Sequence, residues 1–191
     1  MSPTQQRSRL ERLIAVVATL AVVLVAGVVV QGANRIDANM LRHLVDVRMG
    51  EPSSLAGGQH VFTSIDVGRF LRTDEDRVES AGRYVVIEVT SIAGTEKVPF
   101  LRYFLEYDGR RYYELDATYV DIPPGFVGTR DILFEVPDEA VTEMVVTVVD
   151  VEFVHGRQRV LRWDPHLGRG TLADTAERSV MMGEPSREVA R

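Results

Sequence analysis

Cysteine is absent from the 191 residues, which removes disulfide scaffolds, thiolate zinc sites, thiol nucleophiles and lipid-modified cysteine anchors at once. Lysine is nearly absent as well, Lys97 being the single one among 22 basic residues. Positive charge is in deficit: 28 acidic side chains give a formal charge of −6, which argues against a nucleic acid partner. No glycine-rich phosphate loop is present, since Gly57-Gly58 is followed by neither a lysine nor a helical pattern. The G-x-S-x-G elbow of serine hydrolases is missing, and Ser53, Ser54, Ser80 and Ser91 read as turn residues. His43, His60, His155 and His166 have no metal-ligand spacing and read as solvated or capping side chains. There is no N-x-S/T sequon, because the third residues of the triplets that begin at Asn34 and Asn39 are Ile36 and Leu41. The densest acidic group, Asp74-Glu75-Asp76 with Glu79, lacks the D-x-D-x-D-G spacing of a calcium loop and reads as a solvated charged loop. The chain is therefore read as non-enzymatic, with no catalytic residue, no cofactor and no metal assigned.

Long apolar runs are also lacking, with one exception. Residues 13–30 carry no charge, and only Thr19 and Gly27 interrupt the aliphatic series. Eighteen helical residues span about 27 Å, close to the ~30 Å hydrocarbon core of a bilayer. Residues 13–32 are thus expected to form one transmembrane helix. Arg7, Arg9 and Arg12 stand before it against Glu11, so the positive-inside rule places residues 1–12 in the cytoplasm and everything after the helix outside. The alternative is signal cleavage, releasing a secreted soluble protein. The best site, Val30-Gln31-Gly32, is poor for it, and the apolar core is long for a signal peptide.

Residues 33–43 read as a juxtamembrane linker. From residue 44 onward the apolar pattern has period two, the signature of strands. Candidate strands are 44–48, 60–71, 83–92, 98–107, 110–115, 129–136, 143–154 and 158–163. Turn signals separate them: Gly57-Gly58, Asp108-Gly109, Pro123-Pro124-Gly125, Pro137-Asp138 and His155-Gly156. Residues 139–144 could make one helical turn. Alternation groups Val61, Ile65 and Val67 on one face, then Val85, Ile87 and Val89, then Ile132, Phe134 and Val136, then Val145, Val149, Val151 and Phe153. Two packed antiparallel sheets with one wet face each give this pattern, and a closed barrel is the competitor. The predicted fold is mainly β: an antiparallel β-sandwich over 44–164, preceded by the membrane helix. Residues 165–191 lack alternation and carry scattered charges, and they are expected to be a disordered or weakly helical tail.

The order of motifs within 44–164 resembles a family. Gly50-Glu51-Pro52 leads into a strand, and Gly82-Arg83-Tyr84-Val85-Val86-Ile87-Glu88-Val89 forms the long central one. Asp108-Gly109-Arg110-Arg111-Tyr112, Ile122-Pro123-Pro124-Gly125 and Ile132-Leu133-Phe134-Glu135-Val136-Pro137 follow. This is similar to the bacterial telokin-like, immunoglobulin-like secreted domains, which include the immunoprotective extracellular antigens of mycobacteria and membrane-anchored relatives. One departure is Ser91-Ile92-Ala93-Gly94-Thr95, where that family has an asparagine-glycine type of turn. The resemblance implies an immunoglobulin-like sandwich outside the membrane and carries over no catalytic residue.

Aromatics cluster in one stretch: Phe100, Tyr103, Phe104, Tyr107, Tyr112, Tyr113 and Tyr119. Alternation sets Tyr103, Leu105 and Tyr107 against Phe104 and Glu106. Tyrosine and arginine together have the composition of a recognition surface, while sealing of a sheet edge is the plainer alternative. The candidate partner-binding residues are Tyr103, Tyr107, Arg110, Tyr112 and Tyr113. The expected partner is another protein or a component of the cell envelope; a metal- or ligand-binding domain is a further alternative.

Overall fold

The computed structural model describes residues 42–99, 101–116, 121–150, 158–168 and 170–190. The expected cytoplasmic N-terminus, the membrane helix 13–32 and nearly all of the linker lie outside the described residues. So do Phe100, Tyr119 and the His155-Gly156 turn. Among the described residues no helix is long and apolar enough to cross a membrane.

The chain from His43 onward forms two β-sheets packed face to face. One sheet runs β1 (Arg42–Val47), β9 (Gln158–Trp163), β8 (Val145–Asp150), β5 (Leu101–Tyr107), β6 (Arg110–Tyr113). The other runs β10 (Ser179–Val180), β3 (Gly58–Arg72), β4 (Arg77–Ala93), β7 (Phe126–Val136), β11 (Ser186–Val189), with the short β2 (Ser53–Leu55) also on β3. Each of the eight strands expected from alternation has a counterpart among the described residues; the end of the expected strand 143–154, with Val151 and Phe153, lies outside them. The two separate ladders make a sandwich and not a closed barrel. A 3-10 turn at Asp138–Thr142 follows Pro137, and Ala140 and Val141 are buried there.

The main core lies between the sheets. Phe62, Val85, Ile87, Val89, Ile132 and Phe134 from one sheet meet Tyr103, Leu105, Val146, Val148, Leu161 and Trp163 from the other. Phe62 stacks on Trp163 with ring centroids 4.8 Å apart. Two of the expected faces are corrected. Val61 does not share a face with Ile65 and Val67, because a β-bulge between Phe62 and Ser64 shifts the register of β3 on β4. One extra residue in a period-two strand exchanges the faces, so His60 and Phe62 point inward before the bulge and Ile65 and Val67 after it. In β8 the core-facing set is Met144, Val146 and Val148, while Val145 and Val149 are half-buried on the other side.

The largest correction concerns residues 165–191, which are neither disordered nor merely weakly helical where described. A single helical turn, Thr171–Asp174, is held by the buried Arg83, whose Nη2 donates to Leu172 O at 3.4 Å; Leu167 and Leu172 pack against the main core. β10 then pairs in parallel with β3, and Val180 is buried with Tyr84, Val86 and Leu133 in a second cluster on the outer face. Burial of a valine side chain contributes about 1.5–3 kcal/mol, which offsets much of the ~2–4 kcal/mol of backbone entropy lost in ordering two residues. Gly68 lets the chain come this close, since a Cβ there would lie 2.6 Å from Arg178 O. The sheet therefore does not have one wet face. Tyr84, Val86 and Leu133 needed a cover, and this last segment supplies it. β11 finally pairs with the edge of β7.

Candidate functional site

The five candidate residues fall on the hairpin β5–β6. Tyr107 pairs with Arg110 across a two-residue turn in which Asp108 and Gly109 both have positive φ, 46° and 70°. Two left-handed residues in a row match the twist of the flanking strands, and this is why Asp-Gly is favoured there. Tyr103 is corrected: it is not a surface residue but part of the main core, 2% exposed. β5 lies between β8 and β6, so its inward side chains have neighbours on both sides. Tyr107 and Tyr112 sit on the same inward side and are half-buried against the edge of that core. Partial burial, together with the carboxylates of Glu143, Asp108 and Glu139, holds the Tyr107 phenol above its ordinary value.

Tyr113 is different. It pairs with Phe104 on the outer face and is 55% exposed. Its ring lies 6.3 Å from that of Phe104, and the Arg111 guanidinium stands 4.7 Å over the Phe104 ring. Arg111 also donates from Nε to Glu106 Oε1 at 3.0 Å. Leu115, equally exposed at 55%, follows where the chain leaves the sheet, and its N–H donates to Leu133 O of the other sheet. The outer-face patch is therefore Tyr113 and Arg111 with Leu115 just beyond them, while Arg110, opposite Tyr107, is exposed on the other face of the hairpin. The structure brings in Leu115, which composition alone did not single out, keeps Arg111 beside the ring of Phe104, and removes Tyr103. An exposed aromatic beside an arginine on an edge strand suits recognition: the ring is rigid and the arginine donates directionally.

Behind the patch lies a buried polar chain that the sequence did not signal. Tyr103 hydrogen-bonds to Ser91 and Arg130, and burial raises its phenol above the ordinary value. Ser91 Oγ lies 2.8 Å from His60 Nδ1, and His60 Nε2 lies 3.1 Å from Leu55 O. A carbonyl can only accept, so Nε2 carries the proton, Nδ1 accepts, and Ser91 donates. His60 is not solvated or capping but 1% exposed, and burial lowers its pKa from 6.5 to about 4. Ser91 is not in a turn, because β4 continues to Ala93. Arg130 stands 4.9 Å over the Tyr103 ring and 3.9 Å from Glu114 Oε2, and burial raises the Glu114 carboxyl above its ordinary value.

The Ser91–His60 contact has the length of a nucleophile–base pair. The cavity beside it, lined by Ser91, Val98, Tyr103, Ile122 and Arg130, is about 20 Å³. About 10–15 Å³ holds one water, so this space accepts a water and no substrate. The proton donor to Leu55 O fixes the imidazole as a structural link between β2 and β4. The acidic loop is exposed, with Thr73 Oγ1 accepting from Asp76 N–H at 3.0 Å. Among the described residues no group of three His, Asp or Glu side chains is placed to hold a metal.

No protein-family description matches this sequence, and no curated protein does. Two solved structures are similar in fold. An uncharacterized β-sandwich protein from Clostridium difficile has 16% identity and a TM-score of 0.43, over 63% of this chain and 95% of that one. The yjhA protein from Bacillus subtilis has 12% identity and a TM-score of 0.46, over 61% of this chain and 99% of that one.

Proposed function

We propose that this protein is a non-enzymatic, single-pass membrane protein that presents an immunoglobulin-like domain of the telokin-like kind outside the cell, where it binds another protein or an envelope component. The observation that carries the recognition reading is the outer face of the β6 edge, where Tyr113 and Leu115 stand exposed with Arg111. An exposed aromatic beside an arginine is the composition of binding hot spots, where single residues contribute about 2 kcal/mol or more. The membrane reading rests on the uncharged run 13–30 and the arginines before it.

Two experiments test the two parts. A photo-crosslinking residue at Tyr113 in cells should capture a discrete partner, and the same residue at Thr63, exposed on the other sheet, should not. Equal capture at both positions would remove the rim from the argument. Alkaline extraction of membranes should leave the full-length chain in the pellet. A soluble chain beginning after residue 32 would instead establish the released form.

A further inference from the structure

We propose that the recognition surface is the outer face of the five-stranded sheet, and that its partner is a polypeptide presenting acidic side chains around an apolar centre. This rests on the recognition reading above and names the chemistry of the partner; the rim at Tyr113 is one end of the face.

Register builds the face. Residues directly opposite each other in a ladder share one side of the sheet. Tyr113 is opposite Phe104, Phe104 opposite Thr147, and Thr147 opposite Arg162, so one row crosses β6, β5, β8 and β9. A second row holds Arg102, Val149 and Val160, and a third holds Arg111, Glu106 and Val145. The residues that alternate with these, Tyr103, Leu105, Val148 and Leu161 among them, point into the main core, so the three rows face outward. Phe104, Thr147 and Val160 are buried and form the floor of the face. Val145 and Val149 are half-buried, while Arg102, Arg111, Arg162 and Tyr113 stand exposed on it.

The sign of the charge sets this face apart. On these four strands three arginines point outward against one glutamate, in a chain whose formal charge is −6. Glu106 is already taken up: Arg111 Nε donates to its Oε1 at 3.0 Å and Thr147 Oγ1 to its Oε2 at 3.2 Å. Arg102 and Arg162 make no ion pair among the described residues. With ~4.8 Å between strands and ~3.4 Å per residue, the three arginine positions form a triangle with sides of about 12–16 Å around Phe104 and Thr147. Cations spread in this way do not converge on one small anion. They match several carboxylates spaced along a polypeptide, each held by the fork of one guanidinium. Tyr113, Val145 and Val149 lie between them and offer apolar area to the centre of the same partner, and tyrosine with arginine is the pairing enriched in protein interfaces. A uniform polyanion fits worse. The positive surplus on the face is small, the chain around it is acidic and repels such a polymer, and a partner without apolar groups leaves the tyrosine and valines uncovered.

A benzophenone amino acid placed at Tyr113 or at Arg162 of the full-length protein in cells tests the proposal. The two positions lie on one row three strands apart, about 14 Å. Both should capture the same protein, and the linked peptide identified by mass spectrometry should carry a net negative charge. With the crosslinker at Tyr113, Arg102→Glu together with Arg162→Glu should lower capture by about tenfold, because like charges opposed across an interface disfavour binding. Arg72→Glu, exposed on the other sheet, should leave capture unchanged. Arg102→Gln with Arg162→Gln removes the charge without adding repulsion; it should give a smaller loss in the same direction, and it decides the matter if the charge-reversed chain does not fold. Capture at Tyr113 but not at Arg162 would confine contact to the rim, leaving the recognition reading intact and overturning the wider face. A linked peptide without acidic excess, a linked polysaccharide or lipid, or capture indifferent to both double variants would overturn the acidic polypeptide as partner. No capture at either position would remove the recognition reading and this proposal with it.

Discussion

Tyr103 and Tyr113 stand on the two strands of one hairpin, and the sandwich gives them opposite surroundings. Tyr103 points between the sheets, hydrogen-bonded to Ser91 and Arg130 within a polar chain that ends on Leu55 O. Tyr113 points outward beside Phe104 and Arg111 at an edge. The same side chain is packing in one place and contact surface in the other. What separates them is the face of the sheet: Tyr103 lies on the side that meets the other sheet, and Tyr113 lies on the outer side of an edge strand. Aromatic content alone is therefore no guide to a binding face.

The comparison breaks first at its buried end. Tyr103→Ala should lower folding stability by about 3–5 kcal/mol, the cost of deleting a large buried aromatic, measured by chemical denaturation. A loss below 1 kcal/mol would return Tyr103 to the surface. The buried chain should also be sensitive to acid. His60 is neutral in the folded protein down to about pH 4 and titrates near 6.5 when unfolded. Its contribution is complete above pH 6.5 and is lost as pH falls toward 4, because the unfolded chain then binds the proton the folded one refuses. The loss comes to about 3 kcal/mol across that window. Stability measured at steps of pH, with His60→Gln as reference, should show the wild-type slope flattened in the variant.

The turn between the two tyrosines gives a smaller effect. Gly109 has a positive φ, and nothing lies near the position of a Cβ there, so Gly109→Ala tests backbone strain alone. It should cost about 1–2 kcal/mol in denaturation. At the exposed end, Tyr113→Ala should change stability by less than about 0.5 kcal/mol, as surface substitutions do. It should nonetheless abolish partner capture from an adjacent crosslinker. A melting shift as large as that of Tyr103→Ala would make the rim another packing site.

The long strands were readable because each keeps one apolar face over many residues. Val85, Ile87 and Val89 on β4, and Ile132, Phe134 and Val136 on β7, repeat with period two and are all buried. Asp108-Gly109 marked its turn through the φ values it requires. The short strands were not readable. Ser53–Leu55, Ser179–Val180 and Ser186–Val189 are too brief to show a period, and β11 buries no side chain that could mark it. The bulge in β3 leaves no trace in composition, so His60 reads as solvated or capping and its contact with Ser91 has no sequence signal. Glu114 and Arg130, distant in sequence, had no spacing to link them. On the rim, Arg110, Tyr112 and Tyr113 were placed on the right strand, but alternation gave no reason to prefer Tyr113 to Tyr103.

By itself the sequence determined the β class, the principal strands and the turns among the described residues. These are local properties, set by side-chain alternation and by the φ preferences of glycine, aspartate and proline. The tertiary structure alone decided which sheet face each strand presents after a bulge, which tyrosine is buried, and that the last segment covers the outer face of a sheet. Those outcomes depend on strand neighbours far away in the chain, and on where Tyr84, Val86 and Leu133 find cover from water. No local pattern encodes either.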